Sequence, residues 1–283
     1  MSKPVTAEMI KDLREKTGIG MGKCKEALEE AKGDIELAIS NLRKAGMASA
    51  VKKEGRATNE GLIGTADDRD VVVLVEVNAE TDFVVKNDRF RDFFNTVVQE
   101  ALRARPASLE AFLAGKYSKE PALTIDQYRA TVVQTIGENI QIRRLLILPK
   151  SKEKSVGMYS HQGGKIVTVV EITGSGSEEA LAKDVAMHVA AAAPEYLSPE
   201  KVPQQVLDQE KEIAKSQIKG KPENIIDKIV DGKLKAFYDQ ACLVCQKYVR
   251  DDSVTIAELV GKKAKETGSP LKVTHFIRWS VGQ

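Results

Sequence analysis

From Gly61 the chain runs twice through the same order of apolar patterns, and this repetition constrains its fold more than any other feature. The first pass is GLIGTADDRDVVVLVEVNAETDFVVKNDRFRDFFNTVVQEAL; the second is GMYSHQGGKIVTVVEITGSGSEEALAKDVAMHVAAAA. Each reads as a short strand, a polar turn, a long β-branched strand ending in V-E-[VI], and an amphipathic helix. A closing strand follows each, NIQIRRLLIL at 139–148 and KVTHFIRWSV at 272–281. Two β-β-α-(α)-β units set roughly 95 residues apart predict an α+β core with a three-stranded antiparallel sheet in each half.

The copies differ where the long strand hands over to the helix. The second makes this link with Thr173-Gly-Ser-Gly-Ser177, while the first spends residues 78–88, about six more, and places ETDFVVKND there. The fold can make the connection without them, so Thr81, Asp82, Phe83 and Val84 are candidates for a working surface. An aromatic beside a carboxylate on a turn between rigid elements has the composition of an interface anchor. The ordinary alternative is that Asp82 caps the turn and Phe83 fills the core.

Residues 1–46 read as three short helices. Thr6 and Asp34 are the expected N-caps of the first and third, and Gly18, Gly33 and Gly46 the expected stops. Such a bundle is marginal alone. Residues 47–60 are expected to be a linker, 61–150 the first core subdomain and 151–283 the second. Within the second, residues 198–252 read as an inserted helical hairpin. Its apolar stripe, including Leu207, Ala214, Ile218, Ile226, Val230 and Leu234, suits either packing within the hairpin or self-association with a second chain.

Charge and chemistry exclude several classes. The 283 residues carry 43 Lys+Arg against 41 Asp+Glu, and the densest basic run, residues 44–56, is interrupted by Glu54 and reads as a solvated segment. No nucleic-acid partner is expected from that balance. Three cysteines cannot staple a chain of this length, and no stretch is apolar enough to span a membrane. A reducing, cytoplasmic setting is expected, with no membrane partner. His161, His188 and His275 lack metal-ligand spacing, and Cys242 with Cys245 reads as an i, i+3 pair of core thiols on a helix. The Gly174-Ser-Gly-Ser177 turn lacks the remaining residues of a phosphate cradle. It reads as a βα turn with Ser177 as the cap. No catalytic residue, metal or cofactor is expected.

The segments LREKTGIGMGKCKEAL, GDIELAI, EVNAETDFVVKN and IGENIQIRR, in this order, resemble bacterial translation elongation factor Ts. The likeness spans the whole chain. It departs from the family at Gly22, where a second methionine is common, and at Val85, where a small residue is usual. The resemblance implies a ubiquitin-associated-like N-terminal bundle, a coiled-coil protrusion at the hairpin, and guanine-nucleotide exchange on elongation factor Tu. It further implies contacts from Arg14 and Met21, a wedge at Asp82 and Phe83 near the nucleotide-bound magnesium, and another contact at His161.

Overall fold

The computed structural model describes residues 4–216 and 223–283. They form two compact units, Met1–Pro149 with Val281–Gln283, and Lys150–Ser280.

The first unit opens with α1 (Ala7–Thr17), α2 (Met21–Glu30) and α3 (Ile35–Lys53). It continues through β1 (Glu60–Asp67), β2 (Val71–Ala79), α4 (Asp82–Val85), α5 (Asp88–Ala104), α6 (Leu109–Ala114), α7 (Ile125–Ile136) and β3 (Ile140–Pro149). The caps anticipated from sequence are in place. Thr6 Oγ1 accepts the Met9 N–H at 3.2 Å, Asp34 Oδ1 accepts the Leu37 N–H at 3.0 Å, and left-handed Gly18 ends α1. Leu13, Cys24, Leu28, Ala38 and Leu42 form the shared core of the three helices.

Gly46 does not end α3. The helix runs on to Lys53, so the first half of the expected 47–60 linker is helical. A Cβ at Gly46 would come within 3.5 Å of the Ala130 carbonyl oxygen on α7, while Met47 and Ala50 join the core beneath the sheet. The glycine therefore marks a close helix crossing, and the bundle and the first core subdomain share one unit.

The sheet has the order β1-β2-β3, antiparallel throughout, with β2 buried along its length. Phe90, Phe93, Val97 and Ala101 on α5 pack in the core it covers.

The second unit repeats the plan with β4 (Lys154–His161), β5 (Ile166–Thr173) and α8 (Glu179–Ala192). There follow α9 (Gln204–Ser216), α10 (Glu223–Ala241), β6 (Lys247–Tyr248), β7 (Asp251–Thr255), α11 (Ile256–Thr267) and β8 (Lys272–Ser280). Its main sheet, β4-β5-β8, is again antiparallel. Glu76 on β2 and Glu171 on β5 occupy equivalent places, each opposite the closing strand and each followed at once by a break in register. The repeat thus extends to a local irregularity.

The hairpin insertion is shorter than 198–252. Leu243 N–H bonds the Tyr196 carbonyl at 2.8 Å and Val244 N–H the Leu197 carbonyl at 3.1 Å, which closes its base. Beyond that point Leu243 and Tyr248 are buried in the core of the second unit. Along the stripe, Ala214, Val230 and Leu234 are buried against Leu207, Ile226 and Tyr238, so these residues are spent inside the hairpin. Ile218 lies outside the described residues.

Candidate partner-binding site

β2 carries the chain along the sheet and ends at Ala79; α5 begins at Asp88. Residues 80–87 therefore connect them, against 174–178 between β5 and α8. The excess over the second copy is smaller than the sequence comparison suggests, because β2 takes Asn78 and Ala79 and α5 takes Asp88 from the segment assigned to the link. Into this space the first unit fits one helical turn, α4.

Thr81, rather than Asp82, is its N-cap: Thr81 Oγ1 accepts the Val84 N–H at 3.3 Å. Side chains on a helical turn point in successively rotated directions. Val84 and Val85 enter the core, while Phe83 faces solvent with 79% of its surface exposed. Phe83 thus does not fill the core. Val84, grouped with it as a partner-binding residue from sequence, is an anchor on the opposite side of the turn.

Asp82 is half-exposed and pairs with Lys86 one turn on, Oδ2 to Nζ at 2.7 Å. That hydrogen bond is the chief reason its carboxyl is held below the ordinary range. The Lys86 ammonium also lies 6.0 Å from the centre of the Phe83 ring. An exposed aromatic, a carboxylate and an ammonium are therefore presented together on four successive helical positions and the next residue.

The turn is held from behind. Glu138, just before β3, accepts the Thr81 N–H at 3.1 Å on one carboxylate oxygen and the Thr81 hydroxyl at 2.8 Å on the other. In return, Glu80 accepts the Asn139 N–H at 2.6 Å. Asn139 Nδ2 donates to the Arg56 carbonyl at 2.9 Å, tying the same point to the segment after α3. Neither Glu138 nor Asn139 is legible in the sequence as a support for this turn, since a partner 57 residues away leaves no periodic signal. Lys86 could have been found as the i+4 partner of Asp82.

Arg14 and Met21 lie on the N-terminal bundle of the same unit. Arg14 is exposed on α1, and Met21, at the start of α2, exposes 52% of its surface. The loop between these helices is fastened to α5, where Arg89 donates to the Gly18 carbonyl at 2.7 Å. The start of α5 thus adjoins α4 in the chain and is bonded to this loop. His161 belongs to the second unit, exposed at the end of β4, with Nδ1 3.3 Å from the Tyr159 hydroxyl.

The other motifs turn out to be structural. Gly174 and Gly176 are used for close backbone approach; a Cβ would lie 2.4 Å from the Pro270 oxygen in one case and 2.5 Å from the Lys152 oxygen in the other. Ser155, and not Ser177, closes that link, accepting the Glu178 N–H at 2.8 Å and donating to the Ser175 carbonyl at 2.7 Å. Cys242 and Cys245 fall after α10, on a 3₁₀ turn rather than on the helix expected. Both are free, and burial pushes the Cys242 thiol up to about 11 and raises that of Cys245. Among the described residues no cluster of His, Cys, Asp and Glu could hold a metal, and no helix is long and apolar enough to cross a membrane.

The family model described as "Elongation factor TS" matches residues 80–283. "Elongation factor Ts" of Protochlamydia amoebophila (strain UWE25) is 67% identical over 279 residues, covering 99% of both chains. Proteins of the same name from Chlamydia muridarum and Chlamydia trachomatis serovar L2 are 48% and 47% identical, each over 97% of this chain and 98% of its own.

Proposed function

Since this chain belongs to the elongation factor Ts family and is a translation elongation factor, we propose that it releases GDP from elongation factor Tu by pressing Asp82 and Phe83 in beside the nucleotide's magnesium. The observation that carries this reading is Phe83, an aromatic ring left 79% exposed on a turn lashed to the sheet. Burying such a ring on a partner is worth about 2–3 kcal/mol, and a rigid anchor loses little freedom in doing so.

A GTPase holds its nucleotide through magnesium bridging the phosphates and through backbone N–H groups around them. A ring and a carboxylate inserted beside that site displace the groups that position the metal. No acid or base catalysis is required. Arg14 and Met21 would add contacts from the N-terminal bundle and His161 a separate contact from the second unit. Their exposure supports that assignment.

The test is release of a fluorescent GDP analogue from elongation factor Tu with and without this chain. Acceleration by orders of magnitude is expected, and Phe83→Ala is expected to remove most of it. No acceleration by the unaltered protein would refute exchange. Full activity of a folded Phe83→Ala protein would refute the wedge.

A further inference from the structure

We infer that Glu138 is a positioning residue for exchange, acting through Thr81 to hold Phe83 in its presented orientation. This rests on the wedge reading above.

A four-residue helix cannot persist on its own hydrogen bonds, and the exposed Phe83 side chain contributes little packing to fix it. What defines the turn is its two ends. At the far end Val84 and Val85 enter the core. At the near end the Thr81 carbonyl accepts the Val85 N–H at 3.4 Å within the turn, and both hydrogen-bond donors of Thr81 lead to Glu138. The backbone N–H and the hydroxyl each donate to one oxygen of the same carboxylate, at 3.1 Å and 2.8 Å. Because the hydroxyl hydrogen is committed to Glu138, its lone pairs are left for the Val84 N–H. One carboxylate thereby orients the cap, and the cap orients the helical turn.

The arrangement is reciprocal. Glu80 and Thr81 on one segment face Glu138 and Asn139 on the other, and each segment's carboxylate accepts a backbone N–H from its neighbour. Asn139 also donates to the Glu54 and Arg56 carbonyls, at 3.3 Å and 2.9 Å, so the clamp reaches the end of α3. The equivalent link of the second unit is closed by the Ser155 hydroxyl, which donates to the Ser175 carbonyl and accepts the Glu178 N–H. The charged clamp accompanies the added turn.

Hydrogen bonds to a charged acceptor are each worth more than neutral ones, so losing both is expected to cost at least about tenfold in any step that needs the turn formed. The experiment measures fluorescent GDP release from elongation factor Tu against concentration of the full-length chain, for Glu138→Ala, Glu138→Gln, Phe83→Ala and the double variant Phe83→Ala/Glu138→Ala. Glu138→Ala should lower the maximal release rate at least about tenfold while changing the half-saturating concentration much less. Glu138→Gln, which can still accept the Thr81 N–H, should keep at least about a third of the rate. The double variant should match Phe83→Ala alone. Amide hydrogen exchange at residues 84–86 should rise in Glu138→Ala without a matching rise in β2.

A folded Glu138→Ala protein with parental rates, alongside a slow Phe83→Ala, would overturn the role of Glu138 and leave the wedge standing. A multiplicative loss in the double variant would show Glu138 acting elsewhere and overturn it equally. A fully active Phe83→Ala would remove the wedge and this inference with it. Should Glu138→Ala fail to fold, Thr81→Val removes the other end of the same hydroxyl bond and is read by the same criteria.

Discussion

Phe83 and Phe90 lie on consecutive helices, one facing water and the other with no exposed surface. Phe83→Ala removes almost no packing and should shift stability by less than about 0.5 kcal/mol, whereas Phe90→Ala should cost about 3–5 kcal/mol; urea denaturation of both variants checks this. His188 gives a second expectation. Burial lowers its pKa against an opposing bond to Gln246, and its Nδ1 accepts the Val249 N–H at 3.2 Å, so the buried ring is neutral. Above the unfolded value of about 6.5 neither state takes the proton. Below it the unfolded chain does so first, and stability falls as pH drops toward the folded value. The urea midpoint should therefore decline from pH 7.5 to pH 5.5, and His188→Gln should flatten the decline. At this scale the sequence was only partly legible. Alternation and caps located the turn, but exposure of Phe83 depends on the direction of one helical turn. The choice of Thr81 over Asp82 as cap depends on Glu138, which reaches it from another element.

Elements followed sequence most closely where periodicity was long. The β-branched strands, the helix face from Phe90 to Ala101 and the caps at Thr6 and Asp34 all form as their patterns imply. Gly46 misled because a glycine can end a helix or let another backbone approach, and only the presence of α7 distinguishes them. The second half of the hairpin misled for a similar reason: Leu243 and Tyr248 carry no label saying which core they join. The core of α9 and α10 is separate from that of β5, α8 and α11. Excising residues 205–236 and bridging with a short Gly-Ser segment should therefore leave the second unit's melting transition within a few degrees of the parent. Deleting 198–252 removes two buried core side chains and should abolish that transition. Thermal melts followed by circular dichroism distinguish the two deletions.

Exchange, taken for the whole molecule, is a coupling between two ligands of one GTPase. If the factor weakens nucleotide binding a thousandfold, about 4 kcal/mol, the nucleotide must weaken factor binding by the same amount. Titration calorimetry of the factor against nucleotide-free and GDP-saturated elongation factor Tu should give dissociation constants differing by that ratio. In Phe83→Ala the ratio should contract while binding to the nucleotide-free form is retained in large part.

The last three residues belong to the first unit although the second unit precedes them: Gly282 N–H donates to Glu76 at 3.0 Å, beside the Arg144 guanidinium at 2.6 Å. The second unit is thus a long excursion that leaves at Pro149 and is called back at Val281. A molecule stretched between its two ends would take the load first on the Gly282 fastening and the first unit. The stretch of chain from Glu76 to Gly282 would stay slack until that fastening tore.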